Sequence, residues 1–259
     1  MTSQLTCFWA LVNYEWVVFK KNFIHTIIDL LFGIVTNIIV FAYIFPTFMK
    51  EKEYGIFIFV ALMPLFAFFD AANKAVMFIF DLQGPKTYSY KLLLPISSTG
   101  VFLSTIVGWA LLSFLMTIIL YPVGAVMLWK KFNILDILNF KFFFIYILIS
   151  LFYGTFGFWL ASLIKKMQRV TIVWLRVVNP LFMIGCYFYT WHAVYEASKP
   201  FAYLHLINPL VYIMEGVRAA SMGQTGFINY WVCVSMLIFF IVSLSYWGMK
   251  RLKSRLDCL

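Results

Sequence analysis

Long apolar runs dominate this chain and constrain its fold more than any other feature. Hydrophobic residues make up 64% of its 259 residues, charged residues make up 12%, and the mean hydropathy is +0.92. A soluble domain is roughly half apolar and a quarter charged. A helix needs about 20 consecutive apolar residues to cross a bilayer. The sequence therefore predicts a multi-pass membrane protein in which most residues belong to spans.

The apolar windows predict the number and position of those spans. They lie at residues 26 to 48, 55 to 76, 99 to 128, 142 to 164, 170 to 190 and 227 to 249. The third window is overlong and contains Pro122 and Gly124, so we expect that helix to be kinked or tilted. The predicted fold class is an all-α membrane protein of about six transmembrane helices. Residues 1 to 259 are predicted to form a single transmembrane domain.

The basic residues predict the orientation of the spans. The formal net charge is +10, and an excess of Lys and Arg in short loops marks the cytosolic side. An N-terminus in the cytosol places the larger basic set there, namely Lys20, Lys21, Lys86, Lys91, Lys165, Lys166, Arg169, Lys250, Arg251, Lys253 and Arg255. Both termini are therefore predicted to be cytosolic. The spacing of these residues does not form a nucleic-acid-binding patch, so we expect no nucleic acid partner.

The segment before the first span predicts an interfacial helix over residues 5 to 21. Its apolar and aromatic residues fall on one helical stripe, with Trp9 and Trp16 among them, whereas Asn13, Lys20 and Lys21 lie off the stripe. This pattern suits a helix that lies in the headgroup region, with Trp at headgroup depth. In the alternative interpretation, residues 5 to 21 lengthen the first span.

The loop between the second and third spans carries a short, partly apolar segment. Residues 81 to 97 contain a Gly-Pro break, then a stretch that Pro95 ends. The candidate contact residues are Lys86, Tyr88, Tyr90, Lys91 and Leu92. A short helix of this kind at the cytosolic face suits the groove of a partner protein. An ordinary connecting loop is the alternative.

Residues 192 to 223 predict an external helical hairpin between the fifth and sixth spans. Asn208 suits the N-cap of a helix, Pro209 suits its first position, and Gly223 suits the position just past its end. At about 1.5 Å per residue this helix is roughly 20 Å long, too short for a hydrocarbon core of about 30 Å.

The hairpin contains a second short helix and a pair of opposite charges. Ser198 followed by Pro200 repeats the pattern of a cap and an early proline. Two short helices in tandem predict a re-entrant hairpin that dips into the outer leaflet and returns. Glu215 and Arg218 are three residues apart, so they are predicted to pair along one helix face. The alternative is a hairpin that lies on the external surface and has no gating role.

Four further ionisable residues fall within predicted spans, namely Asp29, Asp70, Lys74 and Arg176. At about 1.5 Å per residue, Asp70 and Arg176 both lie roughly 9 Å inside the cytosolic boundary. Charges at this depth are costly unless they are paired, face a cavity or snorkel. One interpretation is an intramembrane charge layer in which Asp70 pairs with Arg176, with Lys74 or with both. In the other, Lys74 and Arg176 snorkel separately to the interface.

Residue types that bind metals or carry out catalysis are scattered along the chain. The cysteines are Cys7, Cys186, Cys233 and Cys258, and the histidines are His25, His192 and His205. The cysteines lack CxxC spacing and the histidines stand far apart, so we expect no catalytic, metal or cofactor site. This disfavours a membrane-embedded lipid-modifying enzyme. An ion-coupled transporter is also disfavoured, because no inverted repeat is evident.

The order of these parts resembles the membrane subunit of type 2 ABC exporters (the ABC-2 type transporter family). The resemblance covers nearly the whole chain and is carried by the loop ending in "LLLPIS", the segment "NPLVYIMEGVR" from residue 208, and "KKMQRVTIVWLRVVNPLFMIGCYFY" from residue 165. Within the family, the sequence is most similar to permeases for capsule, O-antigen and teichoic acid polysaccharides. Drug and nodulation-factor exporters are related.

The resemblance implies a permease subunit of the bacterial cytoplasmic membrane that exports an amphiphilic cargo such as a lipid-linked polysaccharide, a drug or a lipid. Two permease chains, identical or related, would enclose the pathway among membrane lipids. Separate ATPase subunits would dock on residues 5 to 21 and 81 to 97, and the hairpin would act as an external gate through Asn208, Pro209, Glu215 and Arg218. The charge layer, which is inferred from residue depth and not from the resemblance, would lie at the cytosolic mouth where cargo headgroups enter. The sequence lacks GxxxxGK[ST], so ATP would be bound by the partner chain.

Overall fold

The computed structural model describes residues 2–48, 54–128 and 139–256, and all regular elements in these ranges are helices. In chain order they are α1 (Thr2–Ile38), α2 (Phe45–Phe48), α3 (Tyr54–Gln83), α4 (Thr87–Lys91), α5 (Ser98–Leu128), α6 (Phe140–Leu163), α7 (Val170–Val173), α8 (Asn179–Met183), α9 (Trp191–Ala197), α10 (Lys199–His205), α11 (Pro209–Ser221) and α12 (Tyr230–Leu256). A π-helical turn (Ile39–Ile44) joins α1 to α2, and another (Trp174–Val178) joins α7 to α8. The predicted all-α class is confirmed for these residues.

Five helices in the described ranges are long and apolar enough to cross a membrane. They are Gln4–Phe48, Tyr54–Gln83, Ser98–Leu128, Phe140–Leu163 and Tyr230–Arg255. These helices correspond to the first, second, third, fourth and sixth predicted spans.

The predicted fifth span, residues 170 to 190, forms a shorter and irregular helical segment. It passes from α7 through the π-helical turn to α8 and ends at Met183. Cys186, just beyond, has a positive φ of 57°, a left-handed conformation that does not continue a right-handed helix. The helical part is therefore shorter than the apolar window that predicted it.

The N-terminal segment is one uninterrupted helix, and this differs from the predicted separate interfacial helix. α1 has 37 residues and runs through Lys20 and Lys21 without a break. Phe19 is buried beside Leu112 and Met116 of α5. Because the first glycine or proline in α1 is Gly33, nothing in the sequence separates residues 5 to 21 from the span that follows. The backbone matches the alternative in which these residues lengthen the first span.

The centre of the bundle is α6, which packs against α3, α5 and α12. Small residues allow this close approach. A Cβ atom on Gly157 would lie 2.8 Å from the Ala71 carbonyl oxygen of α3, and one on Gly154 would overlap with the Ile106 carbonyl of α5. Small residues at helix contacts are typical of membrane bundles, where association depends on close packing.

The predicted kink in the third span stays a prediction. Pro122 lies inside α5, which continues to Leu128 as one helix. Cys258 lies outside the described residues.

Several helix termini meet at one end of the bundle, which we call the basic end. Arg255 of α12 donates hydrogen bonds to the carbonyl oxygens of Ile164 (2.6 Å) and Lys165 (2.9 Å). Lys253 donates to the Thr99 hydroxyl of α5 at 2.8 Å. These contacts tie the end of α12 to the end of α6 and the start of α5.

Candidate functional site

The loop before α4 is shaped by Asp81, which the sequence analysis did not single out. Its carboxylate accepts hydrogen bonds from the backbone N–H groups of Thr87 (3.1 Å) and Tyr88 (2.8 Å), the first two residues of α4. Lys86 precedes α4 with a positive φ of 58°, and its N–H donates to the Asp81 carbonyl at 2.7 Å. The turn thus brings an acid from the end of α3 to the N-terminus of α4, where a negative charge is stabilising.

Tyr88 points into the bundle and not towards solvent. Its side chain is 4% exposed, its hydroxyl lies 3.2 Å from that of Thr105, and its ring is 4.4 Å from the ring of Phe78. Burial raises the pKa of Tyr88 above its usual value. Tyr88 therefore anchors α4 to α3 and α5, and its buried side chain is not available for the predicted contact with a partner protein in this structure.

Lys91 joins α4 to the N-terminal helix. Its ammonium nitrogen lies 2.8 Å from a carboxylate oxygen of Glu15 and 4.3 Å from the centroid of the Tyr14 ring. Both side chains of the ion pair are largely buried. The two segments predicted to contact an ATPase, residues 5 to 21 and residues 81 to 97, are thus connected by a charged pair. Glu15 was missed because an isolated acid on an amphipathic helix carries no signal of its partner.

The outward surface of the loop includes the exposed side chains of Lys86, Tyr90, Leu93 and Leu94, and we call these four residues the docking face. Tyr90 is 68% exposed and Leu93 is 80% exposed. Lys86 and Leu94 are also exposed, whereas Leu92 is half-buried. Of the five predicted contact residues, Lys86 and Tyr90 are therefore available to a partner, Leu92 is partly so, and Tyr88 and Lys91 are engaged within the chain.

A cleft with a volume of about 360 Å³ lies between α1, α3, α4 and α5. Its wall carries Glu15, Lys91, Asp81, Asp70 and Lys74. Asp70 and Lys74 form an ion pair within α3, with 2.6 Å between the ammonium nitrogen and a carboxylate oxygen. The structure thus brings two residues of the predicted charge layer together with the residues that hold α4.

The other two residues of the predicted charge layer lie elsewhere. Arg176 and Asp29 are exposed, and Arg176 lines a different groove beside Pro180 and Asn208. The predicted pair between Asp70 and Arg176 does not form, because Asp70 reaches Lys74 one helical turn away.

The hairpin contains three short helices, α9, α10 and α11, where two were predicted. The Asn208 side chain accepts a hydrogen bond from the Leu210 N–H (3.0 Å), which confirms it as the N-cap of α11. Its amide also donates to the Leu181 carbonyl of α8 at 2.7 Å. Gly223 has a positive φ of 100° beyond the end of α11, as predicted. Ser198 precedes α10, but its side chain makes no capping bond.

Glu215 and Arg218 are completely buried and do not form an ion pair with each other, which corrects the prediction that they pair along one helix face. The Glu215 carboxylate accepts hydrogen bonds from the backbone N–H groups of Trp191 (3.0 Å) and Ile228 (3.0 Å). Burial raises the pKa of Glu215, and the two N–H groups and Arg218 oppose that rise. Glu215 therefore joins the start of α9 to the segment before α12.

Arg218 binds the irregular segment after α8. Its guanidinium donates to the carbonyl oxygens of Cys186 (2.6 Å), Tyr187 and Tyr189 (3.3 Å). It also lies 3.5 Å from the centroid of the Phe57 ring of α3. Burial lowers the pKa of Arg218 to about 10, so the group stays protonated at neutral pH. We call this set of contacts the carbonyl clamp.

The remaining candidate residues do not assemble into a reactive centre within the described ranges. Cys7, Cys186 and Cys233 are free thiols, and no group of three or more potential metal ligands occurs among these residues. His205 contacts the Phe201 carbonyl and the Tyr189 hydroxyl. His192 lies beside Glu196 on the surface.

Comparison with known proteins places the chain in a family. Residues 6–222 match the family described as ABC-2 type transporter. A polysialic acid transport protein KpsM of Escherichia coli is 26% identical over 220 residues, which cover 83% of this chain and 79% of that protein. A second Escherichia coli protein of the same name is 25% identical over 248 residues, covering 94% of this chain and 86% of its own length. Five helices of the described residues are apolar and long enough to cross a membrane. Because the family match also spans most of the chain, the chain belongs to the ABC-2 type transporter family as a multi-pass permease.

Proposed function

We propose that this chain is the permease subunit of an ATP-driven exporter in a bacterial cytoplasmic membrane, with both termini in the cytosol. Two permease chains, identical or related, enclose the pathway, and a separate ATPase subunit binds and hydrolyses ATP. Family membership supports the transport role.

The proposed cargo is a lipid-linked polysaccharide. Its support is the similarity to two proteins named for polysialic acid transport, at 26% and 25% identity. Identity at this level leaves a drug or a lipid as the alternative cargo.

The ion pair between Glu15 and Lys91 is the observation that carries the proposal. It holds α4 against the N-terminal helix at 2.8 Å, while the docking face on the same loop remains exposed. A protein that binds Tyr90 and Leu93 would therefore move α4 and α1 together. Closure of the ATPase subunits on ATP would favour one arrangement of these packed helices over another, which is how a ligand drives a conformational change.

The hairpin is assigned to the external exit of the pathway. Asn208 and Pro209 begin α11, and Glu215 and Arg218 hold its buried face against neighbouring segments. Because these contacts fix α11 to α9, to the segment after α8 and to the segment before α12, movement of the bundle would be transmitted to the hairpin. In this assignment the hairpin is the external gate.

The docking face is tested by co-purification. We expect the double variant Tyr90→Ala with Leu93→Ala to lose association with the ATPase subunit, since these exposed side chains supply the apolar contact. The measurement is the amount of ATPase retained on the tagged permease, together with ATP-dependent transport of a labelled lipid-linked polysaccharide into vesicles.

The matched control is Tyr246→Ala with Leu204→Ala, which removes a similarly exposed tyrosine and leucine away from the loop. The control should retain the ATPase at the level of the wild type. Retention of the ATPase by the docking-face variant, with transport unchanged, would refute the proposed docking.

A further inference from the structure

A groove runs between the irregular fifth segment and the hairpin, with a volume of about 340 Å³. Its walls are mostly apolar and include Pro180 and Ile184 of the fifth segment and Leu204 and Ile207 of the hairpin. The volume falls in the range of roughly 300–1,000 Å³ that is typical of ligand pockets. Ile207 is 71% exposed, so the groove is open along the hairpin side.

Arg176 is the charged residue in the wall of this groove. Among the described residues it has no carboxylate within 4.0 Å and no hydrogen-bond partner of its side chain. Moreover, the sequence contains no Asp or Glu from residue 137 to residue 195. Arg176 is exposed and falls within the predicted fifth span, where an unpaired guanidinium would be costly. The groove is therefore electrostatically complementary to an anion.

The position of Arg176 along the groove defines the shape of the ligand. Arg176 lies towards the basic end of the bundle, near Lys165, Lys166 and Arg169 in the sequence. Eight residues separate Arg176 from Ile184, which corresponds to about 12 Å along a helix. The groove thus has a cation at one end and an apolar path that continues to the hairpin.

The backbone around Arg176 supports a specialised role. Arg176 is in the π-helical turn Trp174–Val178, and π-helical turns are found frequently at functional sites. Asn208, the polar neighbour in the groove, uses its side chain to bind Leu181 and Leu210. The guanidinium is thus the group left to recognise a ligand.

We propose that this groove binds a phosphate-bearing anionic lipid, with the phosphate on Arg176 and an acyl chain along α8 towards the hairpin. A guanidinium binds phosphate through two parallel hydrogen bonds, which an ammonium group does not reproduce. The inference goes beyond the proposed transport role: the occupant is an anionic phospholipid of the bilayer, which supplies both the phosphate and the acyl chain, and the lipid anchor of the cargo is the competing source.

The test is native mass spectrometry of the full chain purified from membranes that contain phosphatidylglycerol and phosphatidylethanolamine. We expect the wild type to retain the anionic lipid in preference to the zwitterionic one. The variant Arg176→Leu should lower this retention about tenfold, and Arg176→Lys should restore it only in part. Ile207→Trp places a larger side chain in the groove and leaves Arg176 unchanged. This variant should also lower the retention of the anionic lipid.

Arg251→Leu is the matched control, since Arg251 is an exposed arginine of α12 that lies outside the groove and whose side chain forms no ion pair among the described residues. It should retain lipid as the wild type does. Equal retention in the wild type and in Arg176→Leu, or an equal loss in Arg251→Leu, would overturn the proposal. The measurement needs no ATPase, so its result is independent of the docking experiment.

The two sources of the lipid are distinguished by producing the chain in cells with and without synthesis of the cargo. A retained lipid of phospholipid mass from both cell types supports the proposal, whereas a lipid found only in cargo-producing cells identifies the cargo anchor and overturns it. If Ile207→Cys crosslinks quantitatively to a second copy of the chain, the groove is a subunit interface and the proposal fails.

Discussion

At the scale of single residues, Arg218 performs a task that backbone hydrogen bonds normally perform. The chain after α8 leaves the helical conformation, so the carbonyl groups of Cys186, Tyr187 and Tyr189 lack helical partners, and Arg218 supplies donors to all three. Buried polar groups without partners are costly, and in an apolar layer no water replaces the missing donor. Arg218 thereby permits an irregular backbone at this place.

The carbonyl clamp gives the first prediction of stability. Arg218→Met keeps much of the side-chain volume but removes every donor, so we expect a loss of about 3 to 5 kcal/mol in the free energy of unfolding. Arg218→Lys should lose less, because an ammonium retains three donors without the planar fork. Thermal unfolding in detergent and the yield of folded protein measure both effects.

Arg251→Met is the control, because it removes an exposed arginine. Its stability should change by no more than about 0.5 kcal/mol. Wild-type stability of Arg218→Met would contradict the role assigned to the clamp.

At the scale of helices, the apolar windows predicted the long membrane-spanning helices well, because these depend on local sequence. Five predicted spans correspond to five long helices, because length and hydropathy are properties of a continuous run. The fifth window predicted a longer helix than the one that forms, because the helix ends just before the carbonyl groups that Arg218, about thirty residues later, binds. A contact between residues so far apart in the sequence leaves no local sequence pattern from which the end of the helix could be predicted.

The charge layer illustrates the difference between depth and direction. Phe69, next to Asp70, has its ring 6.3 Å from that of Trp174, two residues before Arg176, so α3 and the fifth segment approach each other near these positions. Consecutive residues of a helix point about 100° apart. Asp70 therefore faces the cleft beside α1, while Phe69 faces the fifth segment. Counting residues from the end of a helix gives the depth of a residue but not the direction in which its side chain points.

The pair that joins α1 to α4 gives a prediction at the helix scale. We expect Glu15→Gln and Lys91→Gln to leave ATPase binding largely intact but to weaken the coupling of ATP hydrolysis to transport. A double-mutant cycle on unfolding should give an interaction energy of about 1 kcal/mol, as residues in direct contact commonly do. The exchange variant, Glu15→Lys with Lys91→Glu, should recover coupling.

The surface pair His192–Glu196 serves as a comparison, since both of its side chains are mostly exposed. Its interaction energy should be smaller than that of Glu15 and Lys91, because exposed pairs contribute little. Coupling that is unaffected by both single substitutions would show that the junction does not transmit movement.

At the scale of the whole molecule, α3 connects the two charged regions. Phe57 near its start contacts Arg218 of the hairpin, and Asp81 near its end caps α4. The helix has 30 residues, which corresponds to a rod of about 45 Å. A displacement of α4 would therefore reach the hairpin through one helix, and the cleft between α1 and α3 gives that helix room to move.

This arrangement predicts that a link across the cleft stops transport without releasing the ATPase. Asn22 of α1 and Met77 of α3 both line the cleft and are exposed, so cysteines at these positions are accessible to a short, reducible bifunctional thiol reagent. We expect the linked double variant to lose most of its export activity while it still co-purifies with the ATPase subunit, because the docking face is untouched. A reductant should restore export.

The single-cysteine variants treated with the same reagent, and the pair Asn22→Cys with Phe80→Cys, are the controls, since Phe80 is an exposed residue of α3 that does not line the cleft. Full export from a quantitatively linked protein would show that α1 and α3 keep a fixed separation during transport, and the movement would then have to be sought in another pair of helices.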